Sequence, residues 1–170
     1  MKRVTLETWE YEWAAHVGTQ RDAINRNKQD AAYYDKNRME SDNQRANIMS
    51  ACGEMAVAKF LNRYWAGDYW PLDRHKEMRD RPDIFPDIEV RRIRKPTNPL
   101  AVRKRDAERK RVMFQTYIHY DDPTQVDITG WIEAWKAWRY GEQPGWDQTG
   151  TARVYSQEKL YAPEAYADKA

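Results

Sequence analysis

The stretch Arg81-Pro82-Asp83-Ile84-Phe85-Pro86-Asp87-Ile88-Glu89-Val90-Arg91 decides the fold. From Ile88 the residues alternate, with Ile88, Val90 and Arg92 leaving one face and Glu89, Arg91 and Ile93 the other. That period of two is the signature of a β-strand. Pro86 cannot donate to a sheet ladder, so a tight bend is expected before the strand begins, bringing Asp83 or Asp87 beside Glu89. Glu89 and Arg91 share a face. Carboxylates gathered next to a cation suit divalent-metal chemistry on phosphodiesters. The carboxylates hold Mg²⁺, which polarises the phosphate and helps to generate hydroxide, while the cation steadies transition-state charge. An edge hairpin with surface salt bridges would use the same residue types.

Working outward toward the N-terminus, Ile48, Ala51, Cys52, Met55, Ala58 and Leu61 describe the apolar face of a helix ending near Asn62. Ser41 followed by Gln44 is a capping-box pattern for its start. Glu54 falls among the small residues of Ala51-Cys52-Gly53-Glu54-Met55-Ala56-Val57-Ala58. An ionised carboxylate on such a stripe needs a partner, whether a cation, a hydrogen-bond donor or a metal. The first third reads as helical, with Leu6, Trp9, Trp13, Val17 and Ile24 at near-helical spacing. From Gln20 to Asn47 the chain turns very polar, predicting an exposed helical extension and then a loop or hairpin.

Toward the C-terminus, strands are predicted at Leu100 to Val102, at Val112 to Tyr120 and at Val126 to Ile132, with Asp121-Asp122-Pro123 as a turn. A last strand is expected around Arg153 to Tyr155. Helices packed on one small mixed sheet make an α/β or α+β domain. Gln115 and Tyr117 share a strand face and are expected in packing. Trp131, Trp135 and Trp138 fit a helical repeat, although Gly130-Trp131-Ile132 could equally end a strand; core or interface is the expected use of these rings.

The chain has 170 residues, enough for one domain, and no apolar run long enough to span a bilayer. Its N-terminus lacks the apolar core of a secretory signal. One cysteine, Cys52, allows no internal disulfide and no Cys-based zinc site, and His16, His75 and His119 have no metal-ligand spacing. No GxxxxGK loop is present, which argues against an ATP-driven motor. The total charge is +2, but between Ile88 and Arg111 ten basic residues face only three acidic ones. A basic block in an otherwise acidic chain is a footprint for a polyanion. Asp106, inside that block, reads as a helix or turn cap with no catalytic part.

A Gly-Glu helix, then Pro-Asp, then Glu-x-basic on a strand resembles the PD-(D/E)XK nuclease superfamily, and more closely its small phage-encoded members. In those a helix like GEMAVAKFLN precedes a strand like PDIFPDIEVRR, followed by LAVRKRD, a β-rich run and a GWIEA segment. The likeness in order runs from about Asn47 to Ala134. It implies a restriction-endonuclease-like core, a central mixed β-sheet flanked by helices, over residues 47–170. The first forty-odd residues lie outside the likeness, and residues 1–46 are expected as an N-terminal helical extension packed on that core. It implies Mg²⁺ or Mn²⁺ held by Asp83, or Asp87 in its place, and by Glu89, with Glu54 as an additional helix-borne acid. Arg91 stands where the superfamily usually has lysine. Guanidinium stays charged and cannot act as a base, so Arg91 would orient or neutralise.

The expected function is that of a divalent-metal-dependent DNA nuclease, with Glu54, Asp83, Glu89 and Arg91 catalytic and with Arg92, Arg94, Lys95, Arg103, Lys104 and Arg105 following the phosphate backbone. The alternative is a non-catalytic DNA- or protein-binding module on the same fold, acting in phage DNA metabolism or against a host protein. The expected location is the cytoplasm, with DNA as partner, no membrane, and self-association as a further possibility.

Overall fold

A computed structural model of the protein describes residues 1–26, 40–78 and 80–167. A four-stranded mixed sheet has the order β1 (Lys2–Thr5), β5 (Gln125–Glu133), β4 (Val112–Ile118), β2 (Ile88–Ile93). Three adjacent pairs make this sheet: β2 runs parallel to β4, and the other two are antiparallel. A separate antiparallel pair joins β3 (Leu100–Arg103) to β6 (Ala152–Tyr155). The longer helices are α1 (Thr8–Arg26) and α2 (Glu40–Phe60). Short ones follow: α3 (His75–Met78), α4 (Lys104–Glu108), α5 (Ala134–Tyr140) and α6 (Glu164–Ala167). The sequence expectation of a mixed sheet flanked by helices is met. Among the described residues no helix is long and apolar enough to cross a membrane.

Helix α2 is buried on nearly every side from Met49 to Ala58, because it lies between α1 and the sheet. Its small residues allow close approach: a Cβ on Gly53 would stand 2.6 Å from Oγ1 of Thr116 on β4. Ile88 and Val90 on β2, Val112 and Phe114 on β4, and Ile128 on β5 meet α2 in one core. The alternate residues Met113 and Ile132 pack with Leu100, Val102, Ala134 and Ala137 on the other side. Alternation along β4 thus feeds two cores from one sheet, and on β5 a bulge opposite Gln115/Thr116 reverses the parity, so that Ile128 and Ile132 face opposite sides.

The N-terminal region differs from its helical expectation in two ways. Lys2–Thr5 forms an edge strand of the main sheet, where Arg3 pairs with Asp127 at 2.8 Å and His119 approaches the same carboxylate at 2.8 Å. The buried face of α1 is Glu10, Ala14, Val17, Gly18 and Asp22, so Trp9 and Trp13 are exposed, at 64% and 42%. The reason is close packing: a Cβ on Gly18 would lie 2.4 Å from the Ile48 Cα, and bulky indoles cannot occupy so tight a crossing. Buried Glu10 is held by Lys59 at 2.6 Å and caps the Glu7 amide. The expected loop or hairpin after α1 lies outside the described residues, and Ser41, expected as the cap of the next helix, falls within α2, which is already helical at Glu40.

In the C-terminal part Trp131 belongs to β5 and is buried, with its indole N–H donated to the Ala162 carbonyl at 3.0 Å. Tyr166 of α6 stands edge-on to Phe114 and Trp131. A Cβ on Gly130 would meet Leu160 at 2.6 Å, so glycine is what lets the final segment cross β5. Gln115 is fully buried in the packed sheet, bonded to the Asn98 carbonyl and Thr129.

Candidate functional site

Strand β2 is an edge of the sheet, and the residues singled out above distribute themselves around that edge. The bend before it is closed by the antiparallel bridge between Ile84 and Ile88, with both backbone N–H groups bonded at 3.0–3.1 Å. This turn lays Asp83 along the free side of the strand, where its Oδ2 accepts the Val90 N–H at 2.8 Å. Asp83 is therefore the acid brought back to β2. Asp87 stays out of the cluster, on the side of Tyr166, whose phenol pKa is raised first by burial and then by Asp87, against Arg63.

Because Ile88 and Val90 face α2, Glu89 and Arg91 point away from it. On that outer side Arg91 bridges two acids, with Glu89 at 3.2 Å and Asp106 at 3.0 Å. Asp106 also accepts the Arg103 N–H at 3.0 Å, so the cap at the start of α4 is at the same time the anchor for Arg91. Arg111, which donates to the Pro86 and Asp80 carbonyls, places its Nε 3.8 Å from Glu89 Oε1. Burial opposes the Arg91 charge, but Glu89 and Asp106 together hold its pKa above the usual guanidinium value.

On the inner side Glu54 is fully committed. Arg21 of α1 donates to both of its oxygens, at 2.6 and 2.9 Å, and the Trp65 indole N–H donates at 3.0 Å. The partner that a buried carboxylate requires is thus a guanidinium and an indole. Cys52, one turn-neighbour away, is buried and its thiol is pushed up to about 12 by burial and by Glu54, so it is inert at neutral pH.

Asp83 stands between these two halves. Burial first, then the neighbouring Glu54 and Glu89, raise its pKa well above the usual carboxylate value, against the opposing effect of Arg91 and the Val90 N–H. Burial likewise raises Glu89, with Arg91 opposing and Asp106 reinforcing. The four expected residues are therefore neighbours, but Glu54 and Glu89 flank the edge from opposite faces. Arg21 engages both oxygens of Glu54, while Arg91 pairs with Glu89 Oε2 and Arg111 stands at the longer 3.8 Å from Glu89 Oε1. Among the described residues no group of three or more acidic, histidine or cysteine side chains is placed to hold a metal ion. The donor set as folded does not fit the Mg²⁺ or Mn²⁺ that the resemblance implies.

The expected phosphate contacts divide as well. Arg94, Lys95, Arg103 and Lys104 are exposed and Arg105 is half-buried. Arg92 departs from that expectation: it turns inward, its guanidinium 3.7 Å from the Met49 sulfur, because its strand parity matches Ile88 and Val90. Partial desolvation of the Arg103 side chain, and then the nearby Arg91 and Arg105, lower its pKa against the opposing effect of Asp106 and Glu89. Sequence reasoning missed Arg21, Trp65 and Arg111, whose contacts are long-range and leave no local pattern. Asp106 had a signal, an acid three residues after the residue that starts a helix, but only its capping half was legible. Comparison with family models, with curated proteins and with solved structures finds no match.

Proposed function

We propose that this chain is a nucleic-acid-binding module, built on a nuclease-like arrangement whose acidic centre is closed by arginines. One observation carries the reading: Arg91, Arg103 and Arg105 crowd together beside β2, with Lys104 next in the chain, while the acids nearby are already ion-paired. A phosphate approaching that edge relieves repulsion among the cations. Arg91 lies in the position where catalysis would want a group able to exchange a proton, and guanidinium does not do so. The restriction-endonuclease-like assignment of the fold, and a place in phage DNA metabolism, belong to the same proposal and rest on the resemblance in motif order.

Metal-dependent hydrolysis is the second reading, favoured by Asp83, a carboxyl crowded by two others whose charge a cation would relieve. No step is assigned to it, because the donor set does not fit.

The test is binding of labelled DNA to the purified chain, in chelator and then in Mg²⁺ or Mn²⁺. The expected result is salt-sensitive binding in chelator, with the DNA recovered uncut in either metal. Chelator-sensitive cleavage abolished in Glu89→Ala would favour the second reading, and absence of binding at low salt would remove both.

A further inference from the structure

On the α1–α2 side of Asp83 the surface opens into a cavity of about 220 Å³, whose walls include Arg21, Asn25, Asp68, Trp70, Arg81 and Asp83. A cavity of about 150 Å³ holds one benzene ring, so this one accepts a single planar heterocycle and leaves any attached sugar outside. Its walls suit such a ring. Trp70 lines the cavity, and the Arg81 guanidinium lies over its ring, 5.2 Å from the centroid. The Asn25 amide, both donor and acceptor, has no partner among the described residues, while Asp68 is already ion-paired, its Oδ2 3.7 Å from the Arg81 Nε. A purely apolar ligand would leave the Asn25 amide unsatisfied.

A row of rings leads to the same cavity. Trp13 stacks on His16 with centroids 5.5 Å apart, and His16 meets Tyr69, a cavity-lining residue, edge-on at 5.9 Å. Trp13 is 42% exposed and Tyr69 37%, so the row faces solvent. Gly67 makes the approach possible. Its φ of +61° turns the Asp68-Tyr69-Trp70 segment onto α1, and a Cβ there would stand 2.8 Å from the Trp13 indole nitrogen.

We propose that the cavity and this aromatic row form a track for single-stranded nucleic acid, one unpaired base entering beside Trp70 while its neighbours stack on Tyr69 and Trp13. The proposal rests on the nucleic-acid reading above and deepens it by naming the form of strand. A paired base cannot enter, since its edge and both faces are already occupied in the duplex. Phosphates of the same strand would pass over the β2 edge toward Arg103 and Lys104, because Asp83 borders both the cavity and the arginine cluster.

Fluorescence anisotropy with the full chain decides the matter, using an oligothymidylate of about a dozen residues, its duplex, an abasic strand of equal length and thymidine monophosphate. The expected order is oligothymidylate far tighter than duplex, abasic strand or mononucleotide. Trp70→Ala and the exposed-site variant Trp13→Ala should each weaken oligothymidylate binding by about 5- to 150-fold without changing its salt slope. Asn25→Ala, which removes no packing ring, should weaken it in the same sense. The single-strand proposal is overturned by abasic or duplex DNA binding as tightly as oligothymidylate, by a mononucleotide doing so, or by unchanged affinity in folded Trp13→Ala and Asn25→Ala. Those outcomes leave the wider nucleic-acid reading in place, whereas loss of every DNA interaction overturns the two together.

Discussion

Asp83 shows how one residue can be placed by backbone geometry while its surroundings resist its ionisation. Its carboxylate caps the Val90 N–H, which any acceptor could do, yet it is buried and stands beside Glu54 and Glu89, and so has a pKa well above normal. When a folded pKa lies above the unfolded one, the folded state binds more protons as pH rises between the two. The contribution to stability is then complete below about pH 3.9, the unfolded value, and declines as pH rises through the raised folded value. Asp83→Asn keeps the acceptor and removes the charge, so it should leave the melting temperature at neutral pH equal or higher and flatten its fall with pH. A lower melting temperature at neutral pH, measured by calorimetry, would mean that the ionised form is stabilising. Glu54 is the opposite case, buried and held by Arg21 and Trp65. Glu54→Ala or Arg21→Ala should each cost about 3–5 kcal/mol, while replacing both by apolar side chains of similar volume should recover most of it. Denaturant titration of the singles and the double gives the answer. An inactive Glu54→Ala variant would therefore say nothing about catalysis unless its fold were checked.

Among elements, the crossing of α1 on α2 explains why the N-terminal helix turns its tryptophans outward. Ala14 and Gly18 let the two backbones come together, and a Cβ on Gly18 would meet the Ile48 Cα and N at 2.4 and 2.5 Å. Gly18→Ala should destabilise by about 1–3 kcal/mol through overpacking, read as a lowered denaturant midpoint. No change would mean that the helices separate at little cost. The same crossing sets Arg21 against Glu54 and exposes Trp13 to the loop turned by Gly67, so the cavity depends on it. Helix α2, strand β2 and strands β4 and β5 were legible in the sequence, because each has an unbroken period or a β-branched run bounded by turn residues. Strand β1 was not: four residues at an edge carry too little pattern, and its place depends on the ladder with β5 and the Arg3–Asp127 pair.

For the whole molecule, the decisive quantity is where charge lies rather than its near-zero total. The excess of cations between Ile88 and Arg111 is partly spent inside, with Arg91 and Arg111 beside Glu89 and Arg92 against α2. Arg103 and Lys104 remain at the surface and carry the proposed phosphate contacts. Arg103→Ala with Lys104→Ala should lower the slope of log affinity against log salt by about 1.4 on a single strand, at about 0.7 per contact; an unchanged slope would place the phosphates elsewhere. By itself the sequence determined that this is a mixed α/β chain with no apolar membrane-spanning run, with acids and a basic block around one edge strand, since periodicity and local charge are properties of neighbours along the chain. Only the tertiary structure decided that Asp83 and not Asp87 returns to that strand, that Glu54 and Glu89 stand on opposite faces, and that arginines from α1 and from the β4 entry neutralise them. Those facts depend on contacts between residues far apart in sequence, which packing selects and no local pattern encodes.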